Sequence, residues 1–308
     1  EDVTPGFYYN DGSNWLRIGV GTEAWNRIGT TSPATNNNDS TYIMGKVAIG
    51  SNTPAVVADG GIEAQLTVDG GDLRVNGITV GTGSGNIVSN AVIGDQALYQ
   101  NTTGTNNSAF GKRTLYHNID GSNNTAIGDK ALYGNNTGEE NAALGAVALA
   151  LNTTGSSNTA MGYKSMFSNT IGFSNVAIGA SALFKNSDRS NLVAIGDSAL
   201  YNNGDGSTAY FHGTNNTAIG SKALYSNTIG YSNVAIGNKT LESTTTGKNN
   251  VAIGNEVLTD NSLGSWNTSV GSLSLPKNTT GNMNSSYGFA SLYENLTGSF
   301  NAAYGYFA

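Results

Sequence analysis

Cysteine is absent from this chain of 308 residues, which also has only two histidines and four prolines. The lack of cysteine excludes a disulfide scaffold, a thiolate metal site and a cysteine nucleophile. Charged residues make up 11% of the sequence, less than half the usual share of about 25%. The net charge of -7 does not provide the basic face typical of nucleic-acid binding. No apolar run approaches the roughly 20 residues of a membrane-spanning helix.

Glycine and asparagine are the residues that the chain has in excess. There are 42 of each, so together they account for 84 of the 308 residues. Such a composition could indicate disorder. The hydrophobic share of 38% is regularly placed, however, which favours a folded protein.

Within 91–305, a tetrad such as Val-Ala-Ile-Gly or Thr-Ala-Ile-Gly recurs thirteen times. The residue numbers of successive tetrad glycines differ by 17 in eleven intervals and by 24 in one, between Gly196 and Gly220. The longer interval predicts a seven-residue insertion within 203–213. We number each tetrad glycine as position 0 of its repeat, and we call residues at the same position of successive repeats a column. The position 0 glycines are Gly94, Gly111, Gly128, Gly145, Gly162, Gly179, Gly196, Gly220, Gly237, Gly254, Gly271, Gly288 and Gly305.

A 17-residue repeat is shorter than most helical or propeller repeats. Thr, Val and Ile before the glycine favour strands, and the Asn-Thr-x-Gly segments favour turns. The sequence therefore predicts an all-β protein, a β-solenoid (or β-roll) of thirteen 17-residue coils. Each coil is expected to contain two short strands joined by two turns, with glycines at positions 0 and +10 supplying positive φ.

Position +4 is the candidate internal ladder, because eleven of its twelve residues are leucine. Position -2 accepts only small residues or valine, whereas position -1 is bulky. Strand alternation places these two columns on opposite faces, so one should face the interior and the other a neighbouring chain. The predicted core ladder is Leu98, Leu115, Leu132, Leu149, Met166, Leu183, Leu200, Leu224, Leu241, Leu258, Leu275 and Leu292.

Asparagine fills position -4 in twelve of thirteen repeats and position +7 in eleven of twelve. Stacked asparagine side chains form amide ladders in cross-β structures, and this structural interpretation is favoured. A sugar-binding or ice-binding face is the alternative.

Position +5 carries an aromatic column that alternation places outside the coil. It predicts either packing between rungs or subunits, or a surface that contacts carbohydrate or protein. The insertion is a second candidate contact, because loops on a rigid scaffold often bind partners. The possible contact residues are Tyr99, Tyr116, Tyr133, Phe167, Phe184, Tyr201 and Tyr225 in the column, and Tyr210, Phe211 and His212 in the insertion.

Residues 1–86 are expected to form a small irregular β region that attaches the repeat shaft of residues 87–308 to something else. A hairpin is indicated near Asn10, where Asn-Asp-Gly-Ser separates two aromatic-rich runs. Two or three short strands are expected within 62–80. The glycine-rich stretch 81–86 has no following helix or P-loop lysine, so it predicts a flexible junction.

No catalytic residue, metal ligand or cofactor is predicted. His117 and His212 lie in different repeats, and neither has a companion at metal-ligand spacing. Carboxylates are scattered among the repeats. A polysaccharide-degrading β-helix enzyme remains a remote alternative.

The Val-Ala-Ile-Gly tetrad resembles the head repeats of trimeric autotransporter adhesins of the YadA type. The longer unit, as in Asn124-Thr-Ala-Ile-Gly-Asp-Lys-Ala-Leu-Tyr133, is similar to surface and phage tail-fibre proteins of Bacteroidetes, which often end in an endosialidase-type chaperone domain. The resemblance implies a homotrimeric extracellular fibre with a non-enzymatic structural or adhesive role. It also implies contacts with surface glycans or with other attachment proteins. A phage receptor-binding fibre is the alternative.

The chain stops at Ala308, one position before the next leucine is due. We therefore expect it to be part of a longer fibre.

Overall fold

The structure is a computed structural model, which describes residues 72–204 and 212–308 together with four strands nearer the N-terminus. The chain forms two compact units, Glu1–Leu73 and Arg74–Ala308. The Tyr210 and Phe211 contacts predicted in the insertion lie outside the described residues.

The first unit contains two separate strand pairs. Strands β1 (Tyr8–Asn10) and β2 (Trp15–Arg17) pair antiparallel, as the hairpin signal predicted. Strands β3 (Val47–Ile49) and β4 (Leu66–Val68) pair in parallel. Strand β3 begins a Val-Ala-Ile-Gly sequence like that of the repeats, although it lies outside their 17-residue spacing.

The second unit is built on one 15-stranded sheet. It begins with β5 (Leu73–Val75), β6 (Ile78–Gly81) and β7 (Ala91–Gly94). One strand per repeat follows: β8 (Ser108–Phe110), β9 (Thr125–Ile127), β10 (Ala142–Leu144), β11 (Thr159–Met161), β12 (Val176–Ile178), β13 (Val193–Ile195), β14 (Thr217–Ile219), β15 (Val234–Ile236), β16 (Val251–Ile253), β17 (Thr268–Val270), β18 (Ser285–Tyr287) and β19 (Ala302–Tyr304).

Strands β7 to β19 are parallel and in register, so each repeat residue lies beside its equivalent in the next repeat. The register holds across the insertion, where Val193 pairs with Thr217. The thirteen strands enclose twelve complete coils, and no helix occurs in the part of the chain that the structure describes. The predicted all-β solenoid is therefore confirmed.

The expectation of two strands per coil is wrong. Positions +1 to +6 form consecutive turns, in which the residues at +2 and +4 are left-handed. Backbone hydrogen bonds still join successive coils on this side. The Leu132 amide donates to Ala148 O at 3.0 Å, and the Lys130 amide donates to Lys112 O at 2.9 Å. A run of turns thus replaces the second strand and keeps the same spacing between coils.

The start of the solenoid is covered by β6, which pairs antiparallel with β7. The glycine-rich stretch that follows was expected to be a flexible junction, and this is wrong. Gly83 is buried, and the Ser84 amide donates to Leu98 O at 3.2 Å. The stretch packs on the first coil and so covers one end of the leucine ladder.

The core lies between the strand and the run of turns. Alanines at position -2 and the side chains at position +4 are fully buried from the second coil onward, apart from the partly buried Leu292 and Ala303 at the far end. All twelve residues at +4 have φ between 48° and 55°, where a bulky side chain costs roughly 1–2 kcal/mol. Burial of a leucine side chain contributes about 1.5–3 kcal/mol, which offsets the backbone cost.

Glycines at positions 0 and +10 are required for different reasons. At position 0 φ is positive, as predicted, with values of 126° to 159°. At position +10 of the uninterrupted repeats the prediction is wrong, because none of those glycines has a positive φ. A Cβ on Gly155 would instead collide with Gly172 O and with Asn152 Oδ1. The lack of space between coils excludes a side chain there, and the backbone conformation does not.

Candidate binding surfaces

The outer face of the parallel sheet is formed by positions -3 and -1, since position -2 points inward. The position -1 side chains are half-buried or exposed in the single chain. Neither column contains a charged residue. The position -1 column consists of Ile93, Phe110, Ile127, Leu144, Met161, Ile178, Ile195, Ile219, Ile236, Ile253, Val270, Tyr287 and Tyr304. We call the two columns together the sheet face.

The predicted contact residues at position +5 form two stacked series. Tyr99, Tyr116 and Tyr133 stack with centroids 5.3 Å apart at each step. A second series runs from Phe167 through Phe184 and Tyr201 to Tyr225, with centroid separations of 5.0 to 5.4 Å. Ala150 separates the two series. Rung-to-rung packing, one of the interpretations proposed for this column, is therefore present.

This stacking limits what the aromatic column can bind. A sugar ring stacks on an aromatic ring through an open ring face, but here most faces are covered by the next ring of the column. The edges remain available, and Tyr99 at one end is 54% exposed. The column is therefore a row of ring edges and is poorly suited as a platform for sugar rings.

His117 lies beside this column at position +6. Its ring makes edge contacts with Tyr116 and Tyr133, each at 4.8 Å between centroids. Its Nδ1 lies 2.9 Å from Gln100 Oε1 of the preceding coil. The contacts of His117 thus place it in the packing between rungs.

Two lysines lie beside a carboxylate of a neighbouring coil. Lys112 Nζ lies 4.0 Å from Asp95 Oδ2, and Lys277 Nζ lies 2.7 Å from Glu294 Oε1. The hydrogen bond to Glu294 raises the pKa of Lys277. Within 72–204 and 212–308 no three His, Asp or Glu side chains gather as a metal site would require. The described residues also include no helix that could cross a membrane.

The insertion leaves the interior ladder intact. Asn203, its first residue, accepts a hydrogen bond from Asn227 Nδ2 at 2.7 Å across the inserted segment and donates to Gly213 O at 2.8 Å. His212, the described member of the predicted contact set in the insertion, is half-buried.

A feature that sequence reasoning missed lies next to the insertion. Arg189 replaces glycine at position +10, and its side chain is only 5% exposed. A Cβ on Gly204 of the next coil would lie 2.8 Å from Arg189 Cγ. The arginine therefore occupies space between coils that glycine leaves free elsewhere. The signal in the sequence was the break in the glycine column, one coil before the insertion.

Comparison with protein-family models, with curated proteins and with solved structures found no match to this chain.

Proposed function

We propose that the solenoid is the non-enzymatic shaft of an extracellular adhesive fibre and that three copies associate in parallel through the sheet face. The observation that carries this proposal is the complete lack of charge along the sheet face. By contrast, the columns at +1, +2 and +6 each contain ionised residues.

The dimensions of the sheet face support an interface. Thirteen strands spaced about 4.8 Å apart give a strip about 60 Å long. With strands of three residues, the strip is about 10 Å wide and covers about 600 Å². Flanking side chains would extend it toward the roughly 800 Å² per partner typical of a stable complex. A single-chain rod would leave this apolar strip in water.

The interior supports a role in stiffness. The asparagine ladder at +7, the leucines and the backbone hydrogen bonds repeat from coil to coil and continue across the insertion. Each coil buries its apolar residues against its neighbours, so stability is distributed along the rod. Such a rod holds its two ends at a fixed distance, which is what the shaft of a fibre must do.

Light scattering on the purified chain tests the assembly. The proposal expects a mass three times the 31.7 kDa of one chain, and a stable monomer at working concentration contradicts it. Ile195→Asp places a charge in the sheet face and should dissociate the trimer. Ile171→Asp is the matched control, because Ile171 is 55% exposed and lies at position +9, away from that face.

The absence of catalysis is tested separately. Incubation with bacterial and algal polysaccharides should release no oligosaccharide. Release that persists after the protein is repurified would overturn the non-enzymatic assignment and leave the assembly proposal standing.

A further inference from the structure

The first aromatic series consists entirely of tyrosines. Tyr99 and Tyr116 stack with an interplanar angle of 15°, and Tyr116 and Tyr133 with an angle of 19°. Within the described residues, none of the three phenol oxygens takes part in a hydrogen bond. The rings are packed, but their hydroxyl groups are not part of the packing.

The stacking itself does not require tyrosine. Phe167 and Phe184 occupy the same column with centroids 5.4 Å apart and an angle of 9°. Phenylalanine therefore fits this position equally well. What tyrosine adds is a phenol that a one-electron oxidant can convert to a phenoxyl radical, whose unpaired electron is shared with the ring carbons ortho to the oxygen.

We propose that Tyr116 is a site of oxidative cross-linking to Tyr99 or Tyr133, which joins successive coils through a dityrosine bond. The oxidant is hydrogen peroxide used by a haem peroxidase. Each phenol loses one electron and one proton, and the two radicals form one carbon–carbon bond between ortho carbons. The rings regain aromaticity by moving the ortho hydrogens to oxygen. Two tyrosines and one peroxide molecule thus give one dityrosine and two water molecules.

The solenoid holds the two partners together before reaction. The Gln100 amide donates to Tyr116 O at 3.0 Å, and the Leu98 amide to Thr114 O at 2.9 Å. This register keeps the rings of Tyr99 and Tyr116 at 5.3 Å, so coupling is intramolecular and gains from proximity. Tyr99 and Tyr133 are two coils apart, about 10 Å, and do not couple directly.

The sequence also provides a comparison tyrosine. Tyr163 is 54% exposed, as is Tyr99. Its contact is with a cation, since Lys164 Nζ lies 5.1 Å from the ring centroid. In the columns, the residues beside Tyr163 are Ala146 and Ala180. It is therefore accessible to an oxidant but has no stacked tyrosine with which to couple.

The consequence is a covalent link across the turn side of the shaft, away from the sheet face. A bond between Tyr99 and Tyr116 closes a loop that spans one coil of the solenoid. Pulling the first coils apart would then require breaking a carbon–carbon bond. This chemistry depends on the fold of a single chain and does not depend on whether the chain forms a trimer.

The test treats the dilute 308-residue chain with peroxidase and limiting hydrogen peroxide, followed by peptide mapping and dityrosine fluorescence. We expect linked peptides Tyr99–Tyr116 and Tyr116–Tyr133 in chains of unchanged subunit mass on a denaturing gel. Tyr116→Phe should abolish both linked peptides and preserve the stack, because the hydroxyl is not bonded. Tyr163→Phe should leave both at the level of the unmodified chain.

Two outcomes overturn the proposal. One is a Tyr116→Phe chain that gives the same linked peptides and yield as the unmodified chain. The other is the absence of both Tyr116-linked peptides from the folded chain when free tyrosine in the same reaction forms dityrosine. Treatment of the chain in denaturant shows whether the fold is responsible, since unfolding should remove the preference for these two pairs.

Discussion

Asn152 and Asn135, which occupy the same position in successive coils, are joined by a hydrogen bond of 2.7 Å from Asn152 Nδ2 to Asn135 Oδ1. The same amide donates to Gly155 O at 2.8 Å, and Asn152 Oδ1 accepts from Asn169 Nδ2 at 2.8 Å. Asn152 is fully buried. One side chain therefore bonds its own turn, the coil before it and the coil after it.

Replacing Asn152 by leucine should be strongly destabilising. The change removes these three buried hydrogen bonds and leaves Asn135 Oδ1 without a partner, at a cost of about 3 kcal/mol in the free energy of unfolding. Asn152→Thr should cost less, because Thr244 occupies the same position in another coil and bonds Asn261 O at 2.7 Å. Urea unfolding of both variants measures the difference. Equal unfolding midpoints for Asn152→Leu and Asn152→Thr would contradict a stabilising contribution of the ladder hydrogen bonds.

Two glycine substitutions should destabilise the protein for different physical reasons. Gly145→Ala forces alanine to φ 138° and places Cβ 2.6 Å from Gly162 O, which should cost about 3 kcal/mol. Gly155→Ala should be comparably damaging through steric contact alone. Gly134→Ala is the control, because its nearest contact is 3.0 Å and other coils carry side chains at that position. It should change stability by less than about 0.5 kcal/mol. Thermal unfolding compares the three.

Val147→Asn should stabilise the protein. Valine at φ 51° is a β-branched residue in the left-handed region, which asparagine tolerates much better. The amide bond from Val147 to Asp129 O at 2.8 Å is unaffected, so the gain should be about 1 kcal/mol. The same substitution at Val251, in the extended strand β16, should destabilise. A loss of stability at residue 147 would show that the valine side chain contributes more packing than the backbone costs.

Much of the fold could be predicted from the sequence, because each position of the repeat occurs many times and its residue preference is visible. Leucine at +4 predicted the internal column and the asparagine columns predicted stacked amide ladders, whereas the sequence left open whether position -1 or position -2 points inward. The strand positions followed from Thr-Ala-Ile and Val-Ala-Ile beside glycine. Even the register across the insertion was implied, since Asn203 and Asn227 keep the ladder spacing.

The second side of the coil could not be predicted from residue preferences. Leu132 has φ 51° and Lys130 has φ 54°, and neither residue type favours that conformation in isolation. They adopt it because the neighbouring coils supply hydrogen-bond partners and bury the leucine. The glycines at +10 were misinterpreted for a related reason: the backbone oxygen that excludes a side chain belongs to the next coil, a full repeat further along the chain.

Four buried serines near the C-terminal end depart from the alanine-rich core. Ser269 Oγ donates to Ser274 Oγ at 2.7 Å, and Ser274 Oγ lies 2.8 Å from Ser286 Oγ and 3.0 Å from Ser291 Oγ. The hydroxyls of Ser286 and Ser291 are 2.6 Å apart. All four residues are fully buried. The hydroxyls bond one another and nearby backbone oxygens such as Ser291 O and Gly288 O, so each hydroxyl depends in part on the others.

This dependence predicts strongly non-additive mutations. Ser274→Ala removes the hydroxyl that contacts the other three and should cost about 1–3 kcal/mol, because buried groups lose partners. Replacing all four serines by alanine restores the residue most common at these positions and removes every polar group. The quadruple variant should therefore be more stable than the Ser274→Ala variant and close to the unmodified chain. Urea unfolding of the single and quadruple variants measures this, and additive losses would show that the serines stabilise the core independently.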